Sequence, residues 1–175
     1  MPSADVMNLV VAGIIVLAVA CALAVVGGKV GRFAAWAALA CVVGVILIVT
    51  LVIPSTSDVP GGHYANTTPG QEIERGLANP GSSAWYNLVG NIAMFIPLGF
   101  LVACLIGGGF WRRLIIATGT GVVLTGGIEF LQFGMGRVAD VDDIILNSTG
   151  ALLGAMVGAT LATIAARVRA RRIRA

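Results

Sequence analysis

Residues 126–154, GGIEFLQFGMGRVADVDDIILNSTGALLG, hold the densest set of groups in this chain that could do chemistry. Glu129 and Gln132 stand near the end of one apolar run, Arg137, Asp140, Asp142 and Asp143 fill a short loop, and Asn147 opens the next apolar run. Ionisable groups at membrane depth are costly, so they act in function or answer a specific partner. Arg137 suits a phosphate or carboxylate. Glu129, Asp140 and Asp143 carry the oxygen ligands a hard divalent cation prefers. Each residue also has a plainer use. Asp140 or Asp142 can cap a helix, and Asp143 is favoured near the positive end of the helix dipole. Asn91 and Asn147 can tie helices together for about 1 kcal/mol each. Glu129 is the hardest to explain as mere polarity, because a buried carboxylate needs a cation, a proton or a metal.

The elements that must position these groups follow from composition. Hydrophobic residues make up 58% of the 175 and charged residues 11%, against about a quarter charged in a soluble domain. The expected fold class is therefore all-α, a polytopic membrane bundle of about five helices. The spans are placed at 6–26, 33–53, 87–106, 114–133 and 144–166. As units, residues 1–53 form two N-terminal transmembrane helices and 54–86 an extracytoplasmic loop with one short helix near 71–77. Residues 87–166 form a three-helix core, and 167–175 a basic cytoplasmic tail. Tight turns at 27–32 and 107–113 carry Lys29, Arg32, Arg112 and Arg113.

Charge orients this threading. With the N-terminus outside and the C-terminus inside, nine of the eleven Lys and Arg fall on the inner face, leaving Arg75 and Arg137 outside. That bias sets orientation. All eight acids lie outside or, for Glu129, within a span. The Arg-rich tail reads as a topology anchor that also meets anionic lipid, not as a nucleic-acid site. Cys21, Cys41 and Cys104 lie in apolar runs and behave as small hydrophobes. Ala18–Cys21 superficially resembles a lipoprotein cleavage site, but no basic residue precedes that apolar run. His63 is a lone loop histidine, while Tyr64, Trp85 and Tyr86 suit the interfacial aromatic belt.

Depth groups the polar residues. At about 1.5 Å per residue, Glu129, Asn91 and Asn147 lie about 24, 22 and 30 Å above the inner basic anchors. Three spans thus bring polar side chains into one outer layer, beneath Arg137, Asp140, Asp142 and Asp143. Glu129 and Gln132 share a helix face, as do Asn87 and Asn91. Asp140, Asp143 and Asn147 share another if the last helix begins early. That face continues as Gly150, Gly154 and Gly158, a small-residue ladder that permits close packing within the chain or between copies. Pro97 frees the carbonyl of Ala93. Gly119, Gly121, Thr125 and Gly126 make the fourth span slim enough to be central.

The stretches NIAMFIPLGF (91–100), IEFLQF (128–133) and GRVADVDDIILNSTGALLG (136–154) resemble VanZ-like proteins in order and spacing. The resemblance covers 87–158. It carries over to Asn91, Pro97, Gly99, Glu129, Gln132, Arg137, Asp140, Asp143, Asn147 and Gly150. It implies a bacterial cytoplasmic-membrane protein of the cell envelope with a role in teicoplanin-type glycopeptide resistance, and it supplies no cofactor or mechanism. The leading expectation is a non-enzymatic outer-leaflet factor that binds or modulates a lipid-linked envelope component or an anionic surface polymer. In it Arg137 meets an anionic group, and Asn91, Glu129, Gln132, Asp140, Asp143 and Asn147 add polar contacts. The alternatives are a metal-dependent enzyme acting on a lipid-linked phosphate or glycan, and a structural or partner protein locked by the polar cluster. Transport fits less well, because no polar path reaches the inner face.

Overall fold

The computed structural model describes residues 4–52 and 65–174, with side chains at 12–52 and 65–172. His63 and Tyr64 lie outside those residues. The chain forms α1 (Ala4–Val26), α2 (Gly28–Leu47) with a terminal π-helical turn (Ile48–Val52), β1 (Ala65–Asn66), α3 (Gln71–Ala78), α4 (Ser83–Leu105), α5 (Phe110–Gly134), β2 (Ala139–Asp140) and α6 (Val141–Arg174). Four helices (α2 with its π turn, α4, α5 and α6) are long and apolar enough to cross a membrane, and Ala12–Val26 of α1 forms a shorter apolar helix. The architecture is an all-α, multi-pass membrane bundle. Phe33, Val123 and Phe130 are 77, 77 and 76% exposed, a surface that suits lipid rather than water.

Both basic turns are shorter than their glycine content suggests. Helix α2 resumes at Gly28, so Lys29 and Arg32 stand within its first two turns rather than in a loop. Only Gly27 separates α1 from α2, and the positive φ of Gly27 (72°) and Gly28 (79°) reverses the chain there. Likewise α5 starts at Phe110 and includes Arg112 and Arg113. At the far end, α6 does not stop near Ala166 but continues as helix to Arg174. Its 34 residues span about 51 Å at 1.5 Å per residue, more than a hydrocarbon core of about 30 Å.

The centre of the bundle is the pair α4 and α6, which run parallel. The glycine ladder of α6 meets α4 backbone in constant register: Gly150 faces the carbonyl oxygen of Ile92, Gly154 that of Ile96, and Gly158 that of Phe100. Gly99 of α4 answers against the backbone of Ala151. This ladder is therefore occupied within the chain. Lipid tails are as apolar as the side chains, so helices associate in a membrane through this kind of close packing. Helix α5 packs across α6 with Gly121 on the Ala151 methyl, whereas Gly119 and Gly126 face open space. The slim central helix is thus α6, and α5 stands to one side of it. Ile46, Phe95, Leu98, Ile128 and Ala151 fill the core toward the acidic end. Val102, Ala103, Ala117, Ala155 and Ala159 fill it toward the basic end.

Candidate functional site

The site begins where α5 ends. Gly136 adopts a φ of 77°, and the Arg137 amide donates to the Gln132 carbonyl at 3.0 Å. The chain folds back and brings Asp140 beside Glu129. The Asp140 backbone N–H donates to Glu129 Oε2 at 2.8 Å, which gives this buried carboxylate a backbone donor. Asp140 then caps α6, its Oδ1 accepting from the Asp142 amide at 2.9 Å. Asn66 Nδ2 donates to both Asp140 oxygens, at 3.4 and 3.2 Å. The same two residues pair β1 with β2 in parallel, Ala65 opposite Ala139 and Asn66 opposite Asp140.

Asp142 does not cap its own helix. Fully buried, it reaches out of α6 to the N-terminus of α3, accepting from the Gly70 amide at 2.6 Å and the Glu72 amide at 2.8 Å. Gly70 has no side chain with which to cap α3, so a residue 72 positions away does it. Ion–dipole attraction at a helix N-terminus adds to these charge-assisted bonds. Residues 65–78 are thereby fastened across the end of the bundle.

Asp143, one residue on, faces α4. Its Oδ1 accepts from Asn91 Nδ2 at 2.6 Å and from Asn87 Nδ2 at 3.2 Å, the two asparagines that share a helix face. One turn along α6, Asn147 donates to Thr125 Oγ1 of α5 at 2.8 Å, leaving its own buried Oδ1 without a hydrogen-bond partner. Asn91, Asp143, Asn147 and Thr125 thus form a polar seam through α4, α6 and α5.

Gln132 and Arg137 turn the other way. Gln132 Nε2 donates to the Thr50 carbonyl at 3.0 Å, and Arg137 Nη1 to the carbonyls of Thr50 at 2.9 Å and Leu51 at 3.4 Å. Glu129 and Gln132 share a face of α5, yet they serve β2 and α2 respectively. The buried Arg137 stands at the π turn closing α2. Pro97 and Gly99 lie within continuous α4, Gly99 packed on Ala151 and both remote from these polar bonds.

Several contributors were not legible beforehand: Thr50, Asn66 and the amides of Gly70 and Glu72 at this end, and Arg113 at the other. Buried Arg113 donates to the carbonyls of Gly108 at 2.9 Å, Ala103 at 2.8 Å and Cys104 at 3.4 Å, closing the C-terminus of α4. The only available signal was the general one that a helix end needs partners for its last carbonyls. Among the described residues, no group of three or more His, Cys, Asp or Glu side chains is arranged to hold a metal. Glu129 is bonded to β2 and Asp143 to α4.

The arrangement offers acceptors. At this end the described carboxylates are Glu72, Glu74, Glu129, Asp140, Asp142 and Asp143. The described cations are Arg75, paired with Glu72 at 2.7 Å, and Arg137, bonded to α2 carbonyls. No protein of curated function and no solved structure matches the chain. A model of the VanZ/LLP1 family matches residues 35–162 and so takes in most of α2, the fastened segment and the seam. The chain belongs to the VanZ/LLP1 family.

Proposed function

We propose that this protein is a factor of the bacterial cytoplasmic membrane. Its acidic end faces outward and engages the polar head of a lipid-linked envelope component, with teicoplanin-type glycopeptide tolerance as the consequence. One observation carries the reading: Asp140 and Asp142 fasten residues 65–78 across the end of the bundle, while Glu129 holds β2 and Asp143 ties α6 to α4. So much cross-bracing at one face of a bundle preorganises a surface there. The family membership and the positive-inside bias support the location. The acceptor-rich composition favours hydroxyl and amine donors of a glycan or peptide stem over a bare phosphate. On this reading Asp143 and the outer acids meet the ligand, while Arg137 and Gln132 support the site from behind.

Native mass spectrometry of the protein released from mild detergent tests it, comparing wild type with Asp143→Asn and Glu129→Gln. The expected result is a lipid-linked adduct retained by wild type and weakened at least about tenfold in the variants, as loss of a charge-assisted bond of ~1.5–3 kcal/mol implies. Bare protein masses in all three, with folding intact, would overturn the proposal. They would favour the second reading, a structural partner protein. That reading draws support from the intramolecular partner that each of Glu129, Asp140, Asp142 and Asp143 already has.

A further inference from the structure

At the opposite end of the bundle the described residues include no carboxylate, and Lys29, Arg32, Arg112, Arg167, Arg171 and Arg172 are all exposed. Their positions along the helices fix their depth. Lys29 and Arg32 flank Val30 and Phe33, Arg112 follows Trp111, and Arg167 precedes Val168. Those four apolar neighbours are 73, 77, 71 and 45% exposed. Each cation therefore stands at the border of the lipid-facing apolar surface, at headgroup level, where interfacial tryptophan is also favoured.

Helix polarity makes the placement more pointed. Lys29 and Arg112 occupy the first turns of α2 and α5, the positive ends of their dipoles, where cations are disfavoured, and Arg32 stands in the next turn of α2. Neither turn contains an acid, and neither helix has a side-chain N-cap, since Gly27 and Gly109 precede them. Side-chain charge and dipole add with the same sign, and no described anion answers them. Two further arginines here are already engaged: Arg113 closes α4, and Arg169 Nη1 donates to the Val26 carbonyl at the end of α1 at 2.8 Å.

We infer that this basic end is a docking surface for the phosphates of anionic phospholipid headgroups, centred on Lys29 and Arg32 of α2 and Arg112 of α5. The phosphates come from the bilayer itself, because the cations border side chains that only hydrocarbon would cover. The surface is separate from the acidic end and does not depend on the function proposed for it.

Trp111, beside Arg112, supplies the readout. A Trp36→Phe/Trp85→Phe variant leaves Trp111 as the sole tryptophan. It is reconstituted into phosphatidylcholine vesicles containing the same minor fraction of brominated phosphatidylglycerol or brominated phosphatidylcholine. The anionic quencher is expected to exceed the zwitterionic one at least about twofold at low salt, since each nearby basic residue attracts the anionic surface appreciably. The excess should vanish in Lys29→Gln/Arg32→Gln/Arg112→Gln, which leaves Arg113 and Arg169 in place. Equal quenching in the Trp111-only protein, or an excess retained in the folded triple variant, would overturn the inference. A salt titration of the Trp111-only protein keeps the test decisive should the triple variant misfold, because an excess that survives molar salt overturns it too. So would an equal excess in a variant retaining only Trp85, which opens α4 at the acidic end.

Discussion

Asp142 shows how much one side chain can organise. It is fully buried, and its two oxygens serve the Gly70 and Glu72 amides of a segment otherwise joined by the Asn66–Asp140 contact and the packing of α3 on α4. Removing the carboxylate leaves two amide donors and the positive end of α3 unanswered, at a cost of about 1–3 kcal/mol. Asp142→Ala should therefore release residues 65–78 selectively. Hydrogen–deuterium exchange should rise across α3 while the α4–α6 seam stays protected. Unchanged exchange in α3 would mean that packing, not this cap, holds the segment.

At the scale of the element, α6 is defined by what it lacks. Its glycines let α4 approach until backbone meets backbone, and a Cβ at Gly154 would stand 2.8 Å from the Ile96 carbonyl carbon and 2.9 Å from the Phe100 nitrogen. Backbone cannot swing aside as a side chain can. Gly154→Ala should cost about 1–3 kcal/mol by overpacking, read as a lower melting temperature in detergent. Gly126→Ala, with nothing within 4 Å, should be neutral or slightly stabilising through helix propensity. The ladder was legible in the sequence because three glycines four residues apart can only share a face. So was the gathering of Asn91, Glu129 and Asn147 toward one end of the bundle, because rise per residue converts position into height along a helix. Partner choice was not legible. Nothing in periodicity indicates that Asp142 leaves its own helix for α3, that α6 rather than α5 is the slim centre, or that residue 66 meets residue 140. Those pairings depend on which backbone groups are left unanswered in three dimensions.

At the scale of the whole molecule, among the described residues three helix C-termini are closed by arginines from other parts of the chain: α1 by Arg169, α4 by Arg113, and the π turn of α2 by Arg137. Terminal carbonyls carry the negative end of the dipole and lack intrahelical donors, and a guanidinium answers both needs. Hydropathy sorts these same arginines as topology signals or candidate ligand contacts, because it registers charge and not geometry. Arg137 separates the two meanings. Its Nη1 holds Thr50 and Leu51 carbonyls across the junction of α2 with α5, beside the Gln132 bond to Thr50. Arg137→Ala should lower thermal stability by about 1–3 kcal/mol and raise exchange at the end of α2 around 46–52. On the proposed function, any loss of glycopeptide tolerance should follow the loss of folded protein, and Arg137→Lys should restore part of both. If Arg137→Ala instead abolished tolerance with melting temperature and α2 exchange unchanged, the guanidinium would be acting on a ligand. The support assigned to it here would then be wrong, and the site would extend toward the α2–α5 junction.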